Sequence, residues 1–153
     1  MNDIQTGRGN IDHVLVGPPG VFLLETKNRA GRLAVRRDAL VVQCPEDADE
    51  AFRDEAVAVR ARAAAARLSL ALRRAGWRGW VQPVVVLWGT FEQGSVASRG
   101  VEWVHGDALR AVLGARPPVL SAAEVGIVAE ALHDDGLLSA AASPSPSRRA
   151  AAP

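Results

Sequence analysis

The chain has 153 residues, 48% hydrophobic and 23% charged, with 18 basic against 17 acidic side chains for a formal net charge of +1. That length suffices for one ordinary domain with its own core, and a lone cysteine, Cys44, excludes an internal disulfide and a cysteine-based zinc site. No run approaches the roughly 18 apolar residues of a membrane span, and the polar stretch 1–10 lacks a signal peptide's apolar core; a cytoplasmic protein without a membrane partner is expected.

Inside the basic class the counts are uneven: 17 Arg against a single Lys, Lys27. Charge is also uneven along the chain, residues 51–100 carrying 8 basic and 3 acidic side chains while both flanking segments are net acidic. An anionic partner would therefore meet the middle third.

Residues 11–16 (IDHVLV) and 21–27 (VFLLETK) are apolar or β-branched runs separated by Gly17-Pro18-Pro19-Gly20, the signature of a β-hairpin. A second hairpin is predicted from 32–36 and 39–43 around Arg37-Asp38. A helix follows over about 48–75, with Asp47 and Glu50 as its capping pair and Gly76 closing it. Phe52, Ala56, Val59, Ala63, Ala66 and Leu70 form its predicted apolar line. Beyond it, 81–88 reads as a buried strand, 101–105 as a short strand and 107–113 as a short helix. Ser121 with Glu124 caps a last helix to about residue 133, and from 139 the sequence collapses to an Ala, Ser, Pro and Arg tail expected to be disordered. The order predicts an α/β (mixed α+β) fold, a mixed sheet flanked by helices.

Alternation along a strand places Glu25 and Lys27 on one face with Val21 and Leu23. If Val16 and Val21 pair across the turn, paired residues sum to 37 and Asp12 lies opposite Glu25. Opposed side chains in an antiparallel pair sit about 5 Å apart at Cβ, so two carboxylates there call for a cation. Lys27 is one candidate and a hard divalent ion, Mg²⁺ or Mn²⁺, is the other. Asp12 and Glu25 as metal ligands with Lys27 beside them would suit water attack on a phosphodiester. Arg cannot replace Lys27 in moving a proton, because it stays protonated. A surface cross-strand ion cluster is the bland alternative.

These residues also carry a resemblance. Gly9-Asn10-Ile11-Asp12-His13-Val14, Gly17-Pro18-Pro19-Gly20-Val21-Phe22 and Glu25-Thr26-Lys27-Asn28 with Gly31 following closely resemble the nuclease-related domain, NERD, placed in the PD-(D/E)xK restriction-endonuclease-like superfamily. The resemblance is dense over 9–35 and collinear through 84–87 and 101–113. It implies that Asp12 and Glu25 bind metal, that Lys27 is the catalytic lysine, and that the partner is nucleic acid, with DNA processing as the role. The superfamily core normally opens with a helix bearing a further acidic residue, whereas Asp3 is the only acidic residue upstream of Asp12. A domain over 1–138 lacking that first core helix is therefore expected, ahead of the tail at 139–153.

Arg53, Arg60, Arg67 and Arg74 recur every seven residues, which on a helix makes one slowly drifting basic stripe. Such a stripe can track a phosphate backbone or can be a solvated helix face. Two function classes follow: a metal-dependent nuclease, or a catalytically inactive nucleic-acid-binding or interaction module derived from one. His13 falls on the face opposite Asp12 and Glu25. Trp77, Trp80, Trp88 and Trp103 are read chiefly as packing residues, and Gln82 as a neighbour of the site.

Overall fold

Gly17 and Gly20 pair across a two-residue Pro18-Pro19 loop, turning β2 (Gly9–Gly17) into β3 (Gly20–Arg36). In this computed structural model residues 2–6, 9–43 and 51–133 are described, with side chains from residue 13 onward. The hairpin register is the expected one, Val16 facing Val21 and His13 facing Leu24. Ahead of β2, where no element was expected, β1 (Asn2–Thr6) pairs antiparallel with it.

The second hairpin differs from expectation in its first strand. Residues 32–36 are not separate; they continue β3, whose register against β6 (Val81–Phe91) shifts between Asn28 and Arg32. The break read at Asn28 to Gly31 is absorbed as a bulge in one 17-residue strand. Gly89 of β6 accommodates it: its φ is +137°, and a Cβ there would lie 2.5 Å from the Arg29 carbonyl oxygen. The Arg37-Asp38 turn then leads into β4 (Ala39–Gln43), which pairs with β5 (Ala51–Asp54).

Residues 51–54 were expected to be helical, but they form β5 because β4 offers them an open edge. Helix α1 begins later, at Ala56–Arg74, and Asp54 accepts a hydrogen bond from the Ala56 N–H at 3.0 Å. Asp47 and Glu50, the expected capping pair, lie outside the described residues, as do Cys44 and the tail from 139. At the other end Gly76 and Trp77 donate to the Arg73 and Leu72 carbonyls, closing the helix as expected.

The sheet runs β1-β2-β3-β6-β8-β7, with β4 and β5 joined to the far half of β3. β7 (Ser95–Ser98), an edge strand absent from the sequence reading, pairs with β8 (Val101–His105). β3, β6 and β8 are mutually parallel, so the centre of the sheet is parallel and its margins antiparallel. After β8 come a single 3₁₀ turn (Gly106–Ala108), α2 (Leu109–Gly114) and α3 (Ala122–His133). The expected Ser121–Glu124 capping box is present, each side chain bonding the other residue's N–H.

Helices cover both faces. On one, Val21 and Leu23 pack with Leu68 and Leu72 of α1 and Val128 and Leu132 of α3, while Val85 and Leu87 meet Val57, Ala58 and Ala61. On the other, Phe22, Leu24, Val84 and Val86 pack against Leu109, Val112 and Leu113 around α2. The buried side of α1 is not the expected one. Val57, Ala58, Ala61, Ala65, Leu68 and Leu72 face inward, whereas Val59 and Leu70 are about half exposed and Phe52 lies on β5.

Candidate functional site

β3 changes neighbours along one edge: among the described residues its ladder with β2 runs to Leu24 and its ladder with β4 begins at Arg32. Glu25 and Lys27 fall between the two, flanked on the other edge by their parallel partners Val85 and Leu87. Both side chains point to the α1 side of the sheet, as do Val21 and Leu23. They meet there: Lys27 Nζ lies 2.8 Å from a Glu25 carboxylate oxygen, with side chains 23% and 16% exposed. The pair is shielded enough to strengthen its attraction, yet open enough to reach a ligand.

Asp12 lies on β2 next to His13, whose partner on β3 is Leu24. Its side chain is outside the described residues. Among the described residues no three His, Cys, Asp or Glu side chains gather as a metal-holding group. Glu25 brings a hard carboxylate oxygen to this point, the type of donor Mg²⁺ takes one or two of while keeping water elsewhere.

Further groups lie in the neighbouring rows of the parallel strands, where β8 ends while β3 and β6 continue. Lys27, Leu87 and His105 occupy one row across β3, β6 and β8, and Asn28 is paired with Trp88 in the next. His105 Nε2 is 3.1 Å from the Gly89 carbonyl, and Nδ1 is 3.3 Å from the Asp107 N–H. The tautomer protonated at Nε2 satisfies both, donating to the first and accepting from the second. His105 and Lys27, 78 positions apart in the chain, share this row two strands apart with Leu87 between them, an arrangement that sequence spacing does not reveal.

Gln82 is not a site neighbour. It is the second residue of β6, three before the partner of Glu25, and its amide donates to the Gly100 carbonyl at 3.1 Å. Trp77 and Trp103 are core residues as expected, but Trp80 and Trp88 are 51% and 42% exposed. Of the arginine series, Arg53 sits on β5 against Glu55 at 2.9 Å and is not part of the helix stripe. Arg60, Arg67 and Arg74 lie on α1, which contains no acidic residue; Arg60 is 3.7 Å from Asp54.

A mixed sheet with helices on both faces and a Glu-x-Lys pair on its bulged central strand makes this a mixed α+β protein. The family model for the nuclease-related domain matches residues 1–88, more than half of the chain, and the chain belongs to that family. Membership of the PD-(D/E)xK superfamily is consistent with this match. No curated protein and no solved structure matches the chain.

Proposed function

We propose that the protein is a metal-dependent nuclease hydrolysing phosphodiester bonds of nucleic acid, with DNA as the substrate. The observation carrying this reading is the Glu25–Lys27 pair, 2.8 Å apart and partly shielded on the bulged strand. In a chain with 17 Arg, its one Lys stands beside that carboxylate. Asp12 and Glu25 are the residues that would hold Mg²⁺ or Mn²⁺. The ion, when bound, supplies charge stabilisation at the scissile phosphate and lowers the pKa of a bound water.

Lys27 would neutralise charge gathering on the phosphorane oxygens as the water oxygen bonds to phosphorus and the bridging P–O bond breaks. Glu25 holds the ammonium in position through their shared ion pair. Purified protein is expected to cleave single- or double-stranded DNA with Mg²⁺ or Mn²⁺ and not with EDTA. Lys27→Ala, Glu25→Gln and Asp12→Asn should each lower the rate by about 10² or more, followed by gel assay of a labelled oligonucleotide. Undiminished cleavage by all three variants would refute the assignment.

A second reading, an inactive nucleic-acid-binding module, is favoured by the fact that Glu25 already has Lys27 as its counter-ion. It predicts binding without cleavage through Arg60, Arg67 and Arg74 on the acid-free helix. Replacing Arg60 and Arg67 by Gln would then flatten the salt dependence of DNA affinity by about 1 to 2 units of slope.

A further inference from the structure

Arg62 and Ser69 define one flank of α1. The Arg62 guanidinium donates to the Asp38 carboxylate at 3.0 Å and to the Arg99 carbonyl at 3.4 Å, and the Ser69 hydroxyl accepts from the Val81 N–H at 2.9 Å. That flank looks toward the start of β6 and the turn between β7 and β8. A helix turns by about 100° per residue, so Arg60, two residues before Arg62, stands nearly opposite it. Ala64, one turn on from Arg60, shows what this second flank faces: it packs against the cluster that holds Val14 of β2 and Val21 and Leu23 of β3.

The direction of the helix sets the level. α1 runs against β3: Val57 and Ala58 cluster with Leu33 and Val35 late in the strand, whereas Leu68 and Leu72 cluster with Val21 and Leu23 early in it. Going back from Ala64 to Arg60 covers about 6 Å along the helix. Going on from Leu23 to Glu25 covers about 6.6 Å along the strand, and both steps lead the same way. Glu25 and Lys27 keep the face of Leu23, which α1 covers. Arg60 thus lies at the level of the Glu25–Lys27 pair on the same side of the sheet, while Arg67 falls about 10 Å and Arg74 about 21 Å farther along the helix. Asp54, 17% exposed, is 3.7 Å from Arg60, which is itself 54% exposed, so part of its five-donor fork stays open to a ligand.

We propose that Arg60 is a substrate-binding residue of the Glu25–Lys27 site, holding the phosphate next in the nucleic-acid strand to the one at Lys27. This rests on the nuclease reading for the identity of the ligand, but its first test needs no cleavage. In EDTA, a fluorescein-labelled 15-nucleotide oligo(dT) would be titrated with the full-length protein at several salt concentrations and followed by anisotropy. Arg60→Gln should weaken binding about tenfold and lower the salt slope by about 0.7. Arg60→Lys should recover most of both. Arg74→Gln makes the same charge change beyond the roughly 8 Å screening length at physiological salt, and should move affinity by less than about twofold. With Mg²⁺, Arg60→Gln should raise KM by as much as it weakens binding and leave kcat unchanged, whereas Lys27→Ala lowers kcat.

Circular dichroism melts would verify that each variant is folded. Wild-type affinity in folded Arg60→Gln, an equal loss in Arg74→Gln, a fall in kcat with KM unchanged, or no binding by the wild type would overturn the proposal. Binding lost in Arg60→Gln and kept in Arg74→Gln, in a protein that never cleaves with Mg²⁺, would sustain the phosphate contact while removing the catalytic reading.

Discussion

Asp38 occupies the tight turn between β3 and β4, where both central residues take positive φ, +49° at Arg37 and +69° at Asp38. Such a turn prefers Asn-Gly, and these two residues carry a conformational cost there. The Asp38 carboxylate offsets it by accepting from the Ser98 hydroxyl and from Arg62 of α1 at 3.0 Å, with Arg99 3.7 Å away. Burial pushes its pKa up, but the Ser98 and Arg62 hydrogen bonds and the charges of Arg62 and Arg99 outweigh it, leaving the pKa below the usual carboxylate value. The folded state therefore binds this proton less readily than the unfolded chain. The stabilisation is fully present above the unfolded pKa of about 3.9 and is lost as pH falls through the lower folded value. Asp38→Asn is expected to cost about 1–3 kcal/mol at pH 7, read as a lower urea midpoint, with the difference from wild type narrowing only below about pH 4. A variant equally stable at pH 7 would show that the network contributes nothing.

At the scale of elements, α1 has the most consequential orientation. Its sequence is rich in Ala on every side, so several stripes compete, and the sequence pattern favours Val59, Ala63, Ala66 and Leu70. The sheet selects a different stripe. Ala58 and Ala61 pack with Val85, Leu87 and Trp103, while Leu68 and Leu72 pack with Val21 and Val81. Leu68→Ala should therefore destabilise by about 2–5 kcal/mol, whereas Leu70→Ser and Val59→Ser should stay within about 0.5 kcal/mol. Chemical denaturation of the three variants decides the orientation. A large loss from Leu70→Ser with a small one from Leu68→Ala would reverse it.

The candidate site needs the assembled molecule, since the β2–β3 hairpin and β6 come to it from two stretches of the chain. A ligand of the folded state raises the melting temperature only where its site is formed. If Asp12 and Glu25 hold Mg²⁺, saturation at about 100 times the dissociation constant should add about 2.7 kcal/mol, a shift of several degrees by scanning fluorimetry that Glu25→Gln removes. An equal shift in wild type and Glu25→Gln would place the ion elsewhere. Among the described residues no helix is long and apolar enough to cross a membrane.

Much of this was determined by local sequence. The Gly17 to Gly20 turn sets the register, and alternation then puts Glu25 and Lys27 on one face because a strand's side-chain period does not depend on what packs against it. The Ser121–Glu124 cap is equally local, being made within one turn. What the tertiary structure decided depended on partners distant in the chain. The edge strands β1, β5 and β7 are four or five residues long and carry little pattern of their own, so pairing defines them. The inward stripe of α1 was chosen by the sheet beneath it, and the parallel pairings of β3, β6 and β8 put Leu87 and His105 in the row of Lys27. A lone lysine beside a carboxylate could be read from the chain, but the groups around it depend on long-range strand pairing, which no short window of sequence encodes.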